Sequence, residues 1–276
     1  MFKKILPLLI VLLLSACVQP PTNGTPSSVT VNAPIYTDGA RAMEIKKVGY
    51  LINVKEYPTH THVGTTRLTD FEKQYRFAWR IPAYIENRLK SEFYTLRNVK
   101  LVNLASYGIR ASEVNGLLSY QNGHWNVRND KKVIYNKLIS RLGLSTIIII
   151  NEGEKQAIND CGLTGCQKFN AKGYGLFTRS FMSTDKFYSA TALLVHIYKL
   201  KPILSLDPKV AEINHSNSMT LVAISKNSKA EPNKIGFVYP KHFKNWTERE
   251  FAHFRLPLVK YIDGMSRKIV DIVRSN

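Results

Sequence analysis

The chain has 276 residues, 44% hydrophobic and 21% charged, a globular composition that excludes a mostly disordered or collagen-like chain. Its three cysteines are too few for a disulfide scaffold. Lys and Arg number 39 against 20 Asp and Glu, a net charge of +19, which either attracts an anionic partner or serves solubility alone.

The first seventeen residues carry an address. Met1-Phe2-Lys3-Lys4 is a short basic start, and residues 5–14 are apolar apart from Pro7. That run is too short to span a bilayer, which takes about 20 apolar residues. A basic start followed by a short apolar run is the pattern of an export signal. The run ends in Leu14-Ser15-Ala16-Cys17. This motif resembles the bacterial lipobox, in which signal peptidase II cuts before a cysteine that receives diacylglycerol. The resemblance implies a signal peptide over 1–16 and a lipidated Cys17. The alternative is an ordinary signal peptide with a cysteine at the cut. One acyl chain binds a membrane marginally, while two or more hold stably. In such lipoproteins an Asp after the cysteine commonly signals inner-membrane retention. Val18 stands there, which implies the periplasmic face of the outer membrane in a two-membrane bacterium.

Residues 18–34 read VQPPTNGTPSSVTVNAP. Four prolines and no apolar period predict a solvated tether over 17–44, with a coil reach of about 20–25 Å. A single α/β domain is expected over 45–276. A strand is predicted over 47–54, apolar enough for burial on both faces. A helix over 81–96 follows from Ile85, Leu89 and Phe93 at four-residue steps, with Pro82 in its first turn. Residues 99–104 form a second strand. A helix over 131–142 turns Val133, Ile134, Leu138 and Leu142 inward and stops at Gly143. Residues 144–150, with four successive isoleucines, make a central strand. This order implies a parallel β-α-β core.

Residues 173–179, 188–199 and 203–213 are expected as longer antiparallel strands, with a turn at Lys199-Leu200-Lys201-Pro202 between the last two. Residues 235–238 make a short edge strand. Thr247-Glu248-Arg249-Glu250 is a capping box, with Trp246 and Phe251 as a hydrophobic staple. The helix it opens continues through Phe254, Leu258, Ile262, Met265, Ile269 and Ile272, with a kink near 255–258 caused by Pro257. The fold class is thus a mixed α/β sheet: a parallel core, antiparallel strands, and a C-terminal helix.

This layout of lipid, tether and small α/β body is similar to that of anchored envelope lipoproteins of the curli-secretion and penicillin-binding-protein-activator types. Val48-Gly49-Tyr50 with the later Val63-Gly64-Thr65-Thr66 also resembles proteobacterial envelope lipoproteins. Neither resemblance implies an activity.

Two motifs bear on chemistry. Cys161 and Cys166 enclose a loop with two glycines, and an exported chain meets an oxidising compartment, so a disulfide is expected. Zinc, redox use and free thiols are the alternatives. No further Cys or His lies nearby to complete a zinc site, and redox pairs favour C-x-x-C spacing. His60 and His62 follow the first strand and point the same way if extended, so they are candidates for a metal or for catalysis, with Asp70 and Glu72 within reach. The plainer reading is two loop histidines. His196 is expected as a satisfied core residue inside a strand. No G-x-S-x-G, Walker A or G-x-G-x-x-G motif occurs.

The sequence therefore predicts a membrane-anchored periplasmic lipoprotein whose body is a non-enzymatic envelope-assembly or interaction module. Its expected partners are the membrane, through the N-terminal lipid, and an anionic envelope surface or an envelope protein. Nucleic acid is not expected behind an export signal, and no cofactor or resident metal is expected. The alternative is a periplasmic, metal-dependent hydrolase built on the His60/His62 loop.

Overall fold

The structure, a computed structural model, describes residues 45–162, 165–181, 184–215, 219–220 and 244–276, with the backbone alone at 158–162, 165, 184, 219 and 220. The described residues belong to one compact unit. Cys17, the tether and the edge strand expected over 235–238 lie outside the described residues.

The first strand, β1 (Lys46–Asn53), buries Val48, Tyr50 and Leu51 on both its faces, as an interior strand must. A hairpin follows, β2 (Thr59–Val63) against β3 (Phe71–Gln74). Helix α1 (Ile81–Tyr94) buries Ile81, Ile85, Leu89 and Phe93, the face predicted from spacing. Strand β4 (Val99–Asn103) leads into the one-turn helix α2 (Ala111–Val114). A small hairpin of β5 (Leu118–Gln121) and β6 (His124–Val127) was not among the predicted elements. Its turn is Asn122-Gly123, both at positive φ, the dipeptide that two-residue hairpin turns favour.

Helix α3 (Lys132–Asn136) runs on into a π-helical turn (Lys137–Arg141). Ile134 and Leu138 are buried as expected, but Val133 is 85% exposed. Ile134 and Leu138 define the inward face at a four-residue step, and Val133 is displaced from it by a full 100°. Strand β7 (Leu144–Glu152) carries the isoleucine run. Ile147 and Ile149 pack with Leu104, Leu117 and Leu138, whereas Ile148 and Ile150 pack with α1 and the C-terminal helix. Alternating side chains thus serve two apolar layers from one strand.

Three strands follow: β8 (Glu154–Gly162), β9 (Gly165–Phe181) and β10 (Thr184–Leu200). They are antiparallel neighbours in sequence; β9 and β10 contain the strands expected over 173–179 and 188–199 and run longer, while β8 was not among the predicted elements. The strand expected over 203–213 is not one. It is a short β11 (Ile203–Ser205) followed by helix α4 (Asp207–His215). Asp207 and Pro208 open that helix, where an acid and a proline both suit the first turn. Leu206, Val210 and Ile213 are buried at helical steps. A two-residue strand, β12 (Met219–Thr220), pairs with β10.

The capping box at Thr247 is formed as predicted: Glu250 N–H donates to the Thr247 hydroxyl, and Thr247 N–H donates to Glu250. The Trp246 and Phe251 rings lie 6.2 Å apart, completing the staple. The expected single kinked helix is instead two, α5 (Glu248–Ala252) and α6 (Arg255–Arg274). Pro257 has no N–H to offer the carbonyl of His253, and its ring crowds that carbonyl. The chain therefore breaks at His253–Phe254 rather than bending. No helix among the described residues is long and apolar enough to cross a membrane.

The main sheet runs β3-β2-β9-β10-β7-β1-β4. β1 pairs in parallel with β4 and β7, and β9 in parallel with β2, while β7–β10, β9–β10 and β2–β3 are antiparallel. The architecture is a mixed α/β sheet with a C-terminal helix. The elements do not follow a bare β-α-β-α-β order, because the β2–β3 hairpin stands between β1 and α1 and the β5–β6 hairpin precedes α3.

Candidate functional site

His60 and His62 lie in β2, not in a loop. The Thr-His-Thr-His-Val alternation puts both imidazoles on one face. The parallel register sets His62 beside Thr178 of β9. His60 Nε2 and His62 Nδ1 each lie 2.7 Å from the Thr178 hydroxyl oxygen. A hydroxyl has one proton, so it donates to one imidazole and accepts an N–H from the other. His60 Nδ1 is buried with no hydrogen-bond partner among the described residues. A bare lone pair is less costly to bury than an unbonded N–H. The favoured arrangement therefore has His60 Nε2–H donating to Thr178, and Thr178 O–H donating to His62 Nδ1.

The surroundings are apolar and aromatic. The Phe71 ring lies 4.9 Å from both imidazoles and the Trp246 ring 5.6 Å from His60. His60 is 0% exposed and His62 5%. Burial, with smaller contributions from His62 and Lys73, pushes the His60 pKa down to about 3. Burial also lowers that of His62, against the opposing charges of Asp70 and Asp185. Both rings are held neutral, and solvent does not reach His60.

The carboxylates once in reach are placed elsewhere. Glu72 sits opposite Thr61 in the β2–β3 register and is exposed, so alternation aims it at the other face of the sheet. Asp70 accepts from Gly64 N–H at 2.8 Å. Among the described residues no group of three or more His, Cys, Asp or Glu gathers where a metal could sit.

The other sequence candidates are separate from this cluster. Cys161 and Cys166 stand directly opposite each other in the β8–β9 register. His196 lies within β10, part-buried, with Nδ1 3.2 Å from Asp207 Oδ2. It lies in a strand and is partnered, but it is part-exposed rather than the core residue expected.

Two features had no sequence signal. At the carboxyl ends of β1 and β7, Asn53 Nδ2 donates to Asn151 Oδ1 at 3.1 Å, and Asn151 Nδ2 to Asn115 Oδ1 at 2.9 Å. Beside them Lys55 N–H donates to Glu152 at 2.8 Å, and burial raises the Glu152 pKa. These residues come from three segments, so no spacing links them. The second is Lys155, 8% exposed, with Nζ 3.5 Å from the Tyr261 hydroxyl. Burial brings its pKa down to about 8. A lone Lys in a strand looks like any solvated one until the opposite helix is in place.

Comparison with known proteins finds no matching family model, no matching curated protein and no matching solved structure.

Proposed function

We propose that the chain is a lipid-anchored envelope protein, held through Cys17 at the periplasmic face of the outer membrane, whose α/β body acts as an assembly or interaction module. The observation that carries this reading is the Leu14-Ser15-Ala16-Cys17 motif behind a basic, apolar leader and ahead of a proline-rich tether. The body's organisation as a parallel β-α-β core with antiparallel strands behind it is supported by the parallel pairing of β1 with β4 and β7. The hydrolase alternative needs His60 and His62 at a surface. Their burial and their shared bond to Thr178 favour the module instead.

Anchoring is tested with Cys17→Ser. The wild type is expected in the membrane fraction with acyl chains on Cys17 by mass spectrometry, and the variant is expected to lose them. An unacylated wild type that shares its membrane fraction with the variant would overturn the reading. Crosslinked capture of the lipidated protein from its native envelope then identifies the partner.

The body is also proposed to carry a Cys161–Cys166 disulfide, supported by their facing register. A loop this small limits its contribution to roughly 2 kcal/mol in the chain-entropy model. Alkylation of freshly isolated protein without reductant should label neither thiol, and full labelling of both would exclude the bond.

A further inference from the structure

A cavity of about 180 Å³ opens at the amino-terminal ends of β1, β4 and β7. Sites in parallel sheets ordinarily lie at the opposite, carboxyl ends, so nothing described above uses it. Its wall brings together Lys46 at the start of β1, Lys199 and Lys201 around the β10–β11 turn, and Arg274 at the end of α6. Asn98 and Thr146 add neutral polar groups, and no Asp or Glu lines the cavity.

Part of this charge is already balanced. Lys199 Nζ donates to the Asn276 main-chain oxygen at 2.5 Å, and Arg274 pairs with Asp271 at 2.8 Å. The carbonyl end of α6 also favours a nearby cation. Lys46 and Lys201 are different. Both are exposed, and among the described residues neither has a carboxylate within ion-pair distance. Asn276 and Asp271 account for Lys199 and Arg274, but nothing on the wall accounts for Lys46 and Lys201.

We infer that this pocket binds a compact oxyanion of the phosphate class. Lysine ammonium groups bind phosphate as mobile point charges. A multiply charged oxyanion balances Lys46 and Lys201, and the neutral amide and hydroxyl supply hydrogen bonds. The cavity's size suits one such group and not a long chain. The inference goes beyond lipid anchoring and does not depend on it. An anionic phospholipid headgroup and free phosphate share the chemistry.

The test titrates the full-length protein, in neutral detergent, with inorganic phosphate by calorimetry. Saturable binding is expected. The double variant Lys46→Gln/Lys201→Gln should weaken it about tenfold or more, the order that two lost charge-assisted contacts imply. Lys132→Gln/Lys168→Gln removes the same charge from exposed positions outside the pocket and should leave the affinity unchanged. Since all four side chains are exposed, the thermal midpoint should stay with the wild type. No saturable binding, or equal weakening in both double variants, overturns the site. Glycerophosphoglycerol, the soluble headgroup of an anionic phospholipid, is then added in competition. Displacement of phosphate supports the pocket with a lipid source, and phosphate binding without displacement supports it with free phosphate as the ligand.

Discussion

Replacing Gly175 with alanine is expected to cost at least about 3 kcal/mol of stability, the largest single-residue effect we foresee. Gly175 sits in β9 at φ +138°, a conformation that side-chain-bearing residues rarely adopt. A Cβ there would lie 2.1 Å from the Thr59 carbonyl oxygen and 2.7 Å from the Thr59 nitrogen. Both atoms are backbone, so no rotamer change relieves the clash. β2 would have to move away from β9, and with it His60 and His62 would leave Thr178. Gly264 in α6 is the control, because a Cβ there meets nothing within 4 Å. Gly264→Ala should stabilise by about 0.5–1 kcal/mol through helix propensity. Urea midpoints of the two variants should move in opposite directions. A loss below about 1 kcal/mol in Gly175→Ala would show that β2 is not held against β9 at this point.

Acid should destabilise the fold well before the carboxylates titrate. His60 has its pKa lowered from 6.5 to about 3 in the folded chain, chiefly by burial. The unfolded chain therefore binds a proton, on falling pH, that the folded chain does not. The contribution is complete above about pH 6.5 and is lost progressively as pH falls toward 3. The slope for one such proton is about 1.4 kcal/mol per pH unit. His62 is shifted in the same direction and steepens it. Denaturation free energies between pH 7 and 5 should show this slope, and His60→Leu should flatten it by up to one proton. Thr178→Val removes the hydroxyl both rings share and strands buried nitrogens, each costing about 1–3 kcal/mol. A pH-independent stability over that range, unchanged in His60→Leu, would mean that the histidines are not buried neutral groups.

These two predictions concern residues whose role the sequence did not disclose. His60 and His62 were conspicuous as a spaced pair that would share one face if extended, but the sequence reads the strand that holds them as a loop. Their partner was not legible. Thr178 is 118 residues from His60, and nothing in its own neighbourhood marks it. The burial of the pair follows from Phe71 on one side and Trp246 on the other, which only the folded chain brings together. The same holds for the basic pocket. Lys46, Lys201 and Arg274 are unremarkable surface cations until three chain segments end at one edge of the sheet.

What the sequence determined by itself is what local physics decides. The helix face of Ile85, Leu89 and Phe93, the isoleucine run of β7 and the capping box at Thr247 each rest on neighbours a few residues apart. The Leu14-Ser15-Ala16-Cys17 motif, on which the proposed anchoring rests, is likewise local. Where residues 203–213 were expected as a strand, the apolar positions fit either period, and packing of Val210 and Ile213 decided for a helix. Pro257 announced a disturbance, but only the folded chain, with Phe251 and Phe254 both buried just before it, shows a break at His253–Phe254 between two helices. The identity of β2 as an interior strand, and with it the conversion of two candidate catalytic histidines into neutral core residues, depends on pairing with β9 more than a hundred residues away. Long-range pairing of this kind leaves no periodicity in the sequence, because its energy comes from surfaces that meet only after the chain has folded.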